Sequence, residues 1–255
     1  MKKVVFSALI LLLLINPTKC FSWGGEGHRI MARITNQNLS SSIKDSLAVY
    51  LGSLNLEDCS VWMDEVRSDH SFDYLKPCHY INIEKGGVYT TNTEENIINK
   101  LNKVIERLKH RKLYSKDEVV MDIKILIHLI GDLHQPLHVG YGVDKGGNSV
   151  NVQFLGKETN LHRVWDSEII KKENITADTC NLWLSEYSKI KSEKSDIPGW
   201  MNEGRAYLEQ VYDIQNNTID QAYIMKNKAL IEKQLLKSGL RLCVLMNEIF
   251  LTSGK

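Results

Sequence analysis

From Val119 to Leu133 the chain is apolar on nearly every side, yet beyond Lys124 it carries two ionisable groups, His128 and Asp132. Residues four apart share one face of a helix. Ser115-Lys-Asp-Glu118 is a capping box that opens the helix, and Pro136 stops it, leaving His138 on the following turn. Ile123, Ile125, Leu126, Ile127, Leu129 and Ile130 leave no polar face, so the helix is central and buried. Ionisable groups in such a helix are costly unless something pairs with them. A second His/Asp pair, His162 and Asp166, repeats the spacing in Leu161-His-Arg-Val-Trp-Asp166. Neutral imidazoles set beside carboxylates suit a divalent cation, zinc above all.

The rest of the chain is read around this helix. Helical periodicity predicts further helices at about 26–38, 42–51, 57–68, 94–111, 161–172, 177–188, 198–211 and 220–250, with the central one over 116–135. Leu235, Leu236, Leu240, Leu242, Leu245, Met246 and Ile249 make the last one a second core helix. One stretch departs from the pattern: a turn-rich loop, Gly140 to Asn148, is followed by an alternating run over 149–154. The expectation is a mainly α, single-domain helical bundle with a short β excursion near 149–154. No linker divides it.

Residues 1–22 have the form of a secretory signal. Met-Lys-Lys is basic, Val4 to Ile15 is apolar, and Cys20-Phe-Ser22 has small residues where signal peptidase requires them. Cleavage after Ser22 leaves a domain over 23–255 and predicts a secreted or periplasmic protein with no membrane anchor. The formal charge, +1 for the whole chain, becomes −2 once Lys2, Lys3 and Lys19 are removed. No broad basic surface for duplex DNA follows from that balance. Four cysteines remain, Cys59, Cys78, Cys180 and Cys243. An even count in an exported chain favours disulfides. The count alone allows three pairings; Cys59–Cys78 with Cys180–Cys243 is the preferred one, and free buried thiols are the alternative.

Single histidines on helices are usually satisfied core or surface residues. His70 and His110 have polar surroundings and are read that way. His134 lies off the His128/Asp132 face and is read as a structural hydrogen-bonding residue. Two His/Asp pairs plus His138 are harder to dismiss, and Asp64 in Trp62-Met-Asp-Glu-Val-Arg67 and His79 before Tyr80-Ile-Asn-Ile83 add more donors. The chain resembles the S1/P1 nuclease family of zinc-dependent enzymes. The resemblance is carried by Trp23-Gly-Gly-Glu-Gly-His28, Trp62 to Arg67, Cys78-His-Tyr-Ile-Asn82, His128 to His138, Gly146-Gly-Asn148 and His162-Arg-Val-Trp-Asp166, in order along most of the mature chain.

The resemblance implies three zinc ions: one on Asp64, His79, His128 and Asp132; one on the amine and carbonyl of an N-terminal Trp23, with His28 and a bridging Asp132; one on His138, His162 and Asp166. It implies that Arg67 contacts substrate phosphate and that Tyr80 stacks on a base. Asn82 stands where the family often has Asp, which leaves base preference open. Asp64, Asp132 and Arg67 are the residues expected to matter most for catalysis. The predicted cut exposes Trp23, so the signal and the metal readings meet at one bond; a backbone amine binds metal only when unblocked.

Such a site suits hydrolysis of phosphate esters by a zinc-activated water. Neither a Gly-x-Ser-x-Gly elbow nor a Walker loop is present. The expected function is an exported, monomeric phosphodiesterase that cuts single-stranded DNA and RNA and also 3′-nucleotides. A zinc phospholipase C is the rival enzyme, but it typically has Glu where this chain has Asp166, and a longer gap than Trp23 to His28. A non-catalytic zinc-binding protein is the remaining alternative.

Overall fold

The computed structural model describes residues 23–251. The segment read as a signal lies outside the described residues, as do 252–255. The chain builds α1 (Gly25–Asn38), α2 (Ser41–Leu51), α3 (Leu56–Glu65), α4 (Ile97–Lys109), α5 (Lys116–Leu133), β1 (Asn151–Phe154), β2 (Lys157–Asn160), α6 (Leu161–Arg163), α7 (Ile169–Lys172), α8 (Ala177–Asn181), α9 (Ile197–Ala206), α10 (Leu208–Val211), β3 (Thr218–Ile219) and α11 (Gln221–Leu251). It is mainly α with one small sheet.

α5 is the centre, as its apolar surface dictates. It packs against α3, α4 and α11, while α1 lies across α3 and α11. Ile123, Leu126, Ile127, Leu129, Ile130 and Leu133 are fully buried. Removing one such side chain to Ala typically costs about 2–5 kcal/mol. The capping box forms: Ser115 Oγ accepts from the Glu118 amide at 3.3 Å, and Glu118 Oε2 accepts from the Ser115 amide at 2.9 Å. At the other end the residue before a proline avoids helical backbone, and Gln135 is extended at φ −87°, ψ 114°.

The β excursion is one strand wider on each side than the pattern shows. β1 pairs antiparallel with β2 and parallel with β3, giving the order β2-β1-β3. Tyr80 to Ile83 alternates in burial and borrows backbone bonds, Ile81 N–H to the His138 carbonyl (2.9 Å) and Ile83 N–H to the Gly140 carbonyl (3.1 Å), without becoming a sheet strand. Three predicted helices are broken. The 161–172 segment holds a π-helical turn over Val164–Glu168, and the 177–188 segment passes into a 3-10 helix at Leu184–Ser192. The 198–211 segment is α9 and α10. A 3-10 helix over His70–His79, which periodicity did not reveal, delivers His79 to the centre.

The cysteines correct an expectation. Cys59, Cys78, Cys180 and Cys243 are all free, buried thiols, and neither expected disulfide forms. They fill core positions on α3, the 3-10 helix, α8 and α11; Cys78 donates toward the Tyr74 carbonyl (3.6 Å) and Cys243 toward the Thr35 carbonyl (3.4 Å). Burial pushes the Cys59 and Cys78 thiols up to about 11. An even count carries no information about distance, and a small thiol is an adequate apolar filler. Among the described residues no helix is long and apolar enough to cross a membrane.

Candidate metal centre

The nine predicted donors arrive from separate segments. Trp23 precedes α1 and His28 lies in its first turn. Asp64 ends α3 and His79 ends the 3-10 helix. His128 and Asp132 lie on α5, His138 is on the 3-10 turn Pro136–Val139, His162 is on α6, and Asp166 is in the π-helical turn. All eight side chains from His28 onward are buried. Asp132 is the hub. Its Oδ1 lies 3.1 Å from His28 Nε2; its Oδ2 lies 3.0 Å from His79 Nδ1, 3.3 Å from His128 Nε2 and 3.9 Å from His138 Nδ1. His162 Nε2 is 3.3 Å from Asp166 Oδ2, and His138 Nε2 is 4.0 Å from Asp166 Oδ1.

Among the described residues three groups of donor atoms are close enough to hold a metal ion: His28, Asp64 and His128; His79, His128 and Asp132; and His138, His162 and Asp166. The last matches the expected third set. The first two share His128, and Asp64 falls with His28 where the resemblance put it with His79. Asp132 still touches His28, as a bridging carboxylate should. Trp23 is wholly buried, and Gly24 N–H donates to the Asp166 carbonyl at 2.8 Å, so the chain's entry into α1 is docked on the third group.

The surroundings select the tautomers. Nδ1–H of His128 donates to the Ser60 carbonyl (2.7 Å), that of His138 to the His79 carbonyl (2.7 Å) and that of His162 to the Gly146 carbonyl (2.6 Å). Each Nε2 is thereby turned toward the cluster, the orientation that metal-binding histidines need. His128 Nε2 lies only 3.1 Å from His79 Nδ1, two ring nitrogens converging on one point. His138 Nε2 is buried with no hydrogen-bond partner. The donor set therefore fits divalent cations.

The charges agree. Burial pushes the Asp166 carboxyl well above the usual range; the Gln135 amide opposes this, and the Asp132 and Asp64 carboxylates add to it. Burial lowers His138 to about 3 and His162 to about 4, keeping both neutral. Burial also disfavours a charge on His128, but Asp132 and Asp64 outweigh it and raise it to about 9. The buried Asp166 carboxyl, short of positive charge, is what a metal ion would neutralise.

Two glycines admit the close approaches. A Cβ on Gly131 would lie 2.7 Å from His28 Nδ1, so only glycine lets α5 receive the His28 ring. A Cβ on Gly24 would lie 2.0 Å from Ser167 Oγ and 3.2 Å from the Asp166 carbonyl.

Above the group a cleft of about 420 Å³ is lined by Arg67, Lys76, Tyr80, Asn82, Lys145 and three of the histidines, among others. Arg67 Nη1 reaches to 3.7 Å from Asp64 Oδ1. Tyr80 is 44% exposed, too open for a core aromatic. His134 is structural: its Nδ1 faces the Ile130 carbonyl at 2.8 Å and its Nε2 accepts from Arg241 at 3.0 Å. His70 and His110 are exposed, away from the cluster.

The S1/P1 Nuclease family profile matches residues 23–251. The chain belongs to the S1/P1 nuclease family. Endonuclease 2 of Arabidopsis thaliana is 26% identical over 287 residues, covering 97% of each chain. Nuclease S1 of Aspergillus oryzae is 23% identical, covering 90% of this chain and 92% of that one. Nuclease P1 of Penicillium citrinum is 28% identical over 59% of each chain.

Sequence reasoning missed Gln135, Lys76 and Lys145, and the docking of Gly24. Gln135 stands inside the His128–His138 motif, so its position was visible and its partner was not.

Proposed function

We propose that this protein is an exported, zinc-dependent nuclease that hydrolyses single-stranded DNA and RNA and removes phosphate from 3′-nucleotides. The observation that carries this reading is the convergence of three buried His/Asp groups on Asp132 beneath a cleft rimmed by Arg67 and Tyr80. Names of the relatives, endonucleases and nucleases, support it. The match of the family profile from Trp23 onward supports cleavage after Ser22 and a free Trp23 amine. The protein so released acts outside the cytoplasm, as a monomer.

The ligand sets are Asp64, His79, His128 and Asp132; Trp23, His28 and Asp132; and His138, His162 and Asp166. When bound, zinc supplies a Lewis acid that makes water nucleophilic near neutral pH and offsets charge on the phosphate oxygens. The chain's own residues do the rest. Arg67 clamps a non-bridging phosphate oxygen and adds charge-assisted hydrogen bonds. Tyr80 offers an exposed ring on which an unstacked base lies. Asn82 beside it can donate to or accept from a base edge. The Ser60, His79 and Gly146 carbonyls hold the imidazoles aimed at the cluster.

The test is a substrate panel on protein that begins at Trp23, with metal measured by elemental analysis. Release of acid-soluble nucleotide from single-stranded DNA, with about one zinc for each of the three groups, is expected. Release of choline phosphate from lecithin instead, or no product from either, would overturn the reading.

A further inference from the structure

Two clefts share Tyr80 and Asn82 as a common wall, and their charges are opposite. The one over the metal groups is lined by Arg67, Lys76 and Lys145 and by no carboxylate. The other, about 450 Å³, is lined by Glu84, Glu94 and Glu95 and by no cation. A strand passing Tyr80 finds favourable potential for phosphate on one side only.

The three cations are held differently. Arg67 lies by Asp64, and Lys76 Nζ is paired with Asp73 Oδ1. Lys145 forms no ion pair among the described residues. Its backbone is left-handed, with φ 57°, and Gly146 and Gly147 follow at 61° and 79°. A side chain at such a φ is disfavoured unless its surroundings impose it. Here they do. Gly146 N–H donates to the Tyr141 carbonyl (2.9 Å), Gly147 N–H to Asp144 Oδ1 (2.9 Å) and Ser149 N–H to the Asp144 carbonyl (3.0 Å). The Gly146 carbonyl in turn receives His162 Nδ1–H at 2.6 Å. The loop that orients a candidate metal ligand therefore also fixes where Lys145 leaves the backbone.

We propose that Lys145, with Lys76 on the same cleft, forms a second phosphate subsite for the phosphate next to the scissile one. It rests on the nuclease reading and extends it: the preferred substrate carries at least two adjacent phosphates. A lone nucleotide fills only the Arg67 position, and the acidic cleft gives no alternative berth for a second phosphate.

The experiment compares KM for a single-stranded DNA tetranucleotide and for a nucleoside 3′-monophosphate, each across a salt series. Lys145→Ala should raise KM for the tetranucleotide about tenfold more than for the monophosphate. Loss of one phosphate contact should also lower the log–log salt slope for the strand by about 0.7. Lys145→Arg should restore both. Lys145→Gly suits the left-handed backbone, so it should show the same loss as Ala while leaving metal content unaltered. Lys171→Ala, which removes an equal charge at an exposed position of α7, should change neither ratio. Equal effects on the two substrates, or a loss with Ala that Gly does not share, would overturn the subsite. Wild-type protein that cuts neither substrate would overturn the nuclease reading and the subsite with it.

Discussion

Gln135 Nε2 donates to Asp166 Oδ1 at 2.6 Å while its Oε1 accepts from Leu137 N–H at 2.6 Å. The side chain is wholly buried. Leu137 N–H fixes which end of the amide is oxygen, so the NH₂ must face Asp166. That leaves Asp166 Oδ2 for the His162 side, and one residue ties the α5 end, the His138 turn and the π-helical turn together. Gln135→Ala leaves both partners without their bond, at a cost of about 1–3 kcal/mol each. We expect its metal content to fall by about one ion per chain relative to wild type, with the other two groups still loaded. Gln135→Glu, which puts a carboxylate against Asp166, should lose at least as much. Unchanged metal content in both variants by elemental analysis would refute the role.

The docked entry to α1 gives a second expectation. Gly24→Ala places a Cβ 2.0 Å from Ser167 Oγ and 3.2 Å from the Asp166 carbonyl, so Ser167 must rotate and the docked backbone must give way. Protein beginning at Trp23 should be active. Protein with an extra Met before Trp23, and protein carrying Gly24→Ala, should each lose most activity and bind less metal. Full activity of the Met-extended form would remove the amine from the site.

Acid stability follows from His134. Burial first, and Arg241 second, lower it from 6.5 to about 3. Above pH 6.5 it is neutral whether folded or unfolded, so it has no pH effect there. Between 6.5 and 3 the unfolded chain takes up a proton that the folded one refuses, so stability falls as pH falls, by up to about 1.4 kcal/mol per pH unit. His134→Gln cannot titrate. It should be less stable than wild type at pH 7.5, and that deficit should shrink steadily toward pH 4.5. Both proteins shed metal alike in acid, so the difference in urea unfolding isolates this residue. A deficit that is constant with pH would refute it.

Tyr80 and Arg67 should separate kinetically. Stacking acts on ground and transition states alike, so Tyr80→Ala should raise KM about tenfold with little change in kcat. Phosphate charge is redistributed in the transition state, so Arg67→Ala should lower kcat, by roughly a hundredfold. A base must leave its stack to reach Tyr80, so single strands should be cut about two decades faster than duplex. Equal rates on the two forms, measured by release of acid-soluble product, would contradict this geometry.

The central helix, its cap, its stop at Pro136 and the His128/Asp132 and His162/Asp166 pairs were legible in the sequence because they obey local rules, whereas Trp23 and His28 were named only through the family resemblance. Periodicity of 3.6 fixes a face, and spacings of four put His and Asp on it. His134 was correctly set aside for the same reason: it points off that face. What the sequence could not supply was distance. The even number of cysteines suggested two disulfides, and the folded chain keeps four separate buried thiols. The 3-10 helix that carries His79 and the π-helical turn that carries Asp166 have no strong sequence period. Asp64 falls in a group with His28 and His128, where the resemblance put it with His79, His128 and Asp132. Gln135 became a partner of Asp166, 31 residues away, only when the chain closed. Local patterns select which side chains share a face of one element; which elements meet, and with what atoms in reach, is decided by packing around a single core.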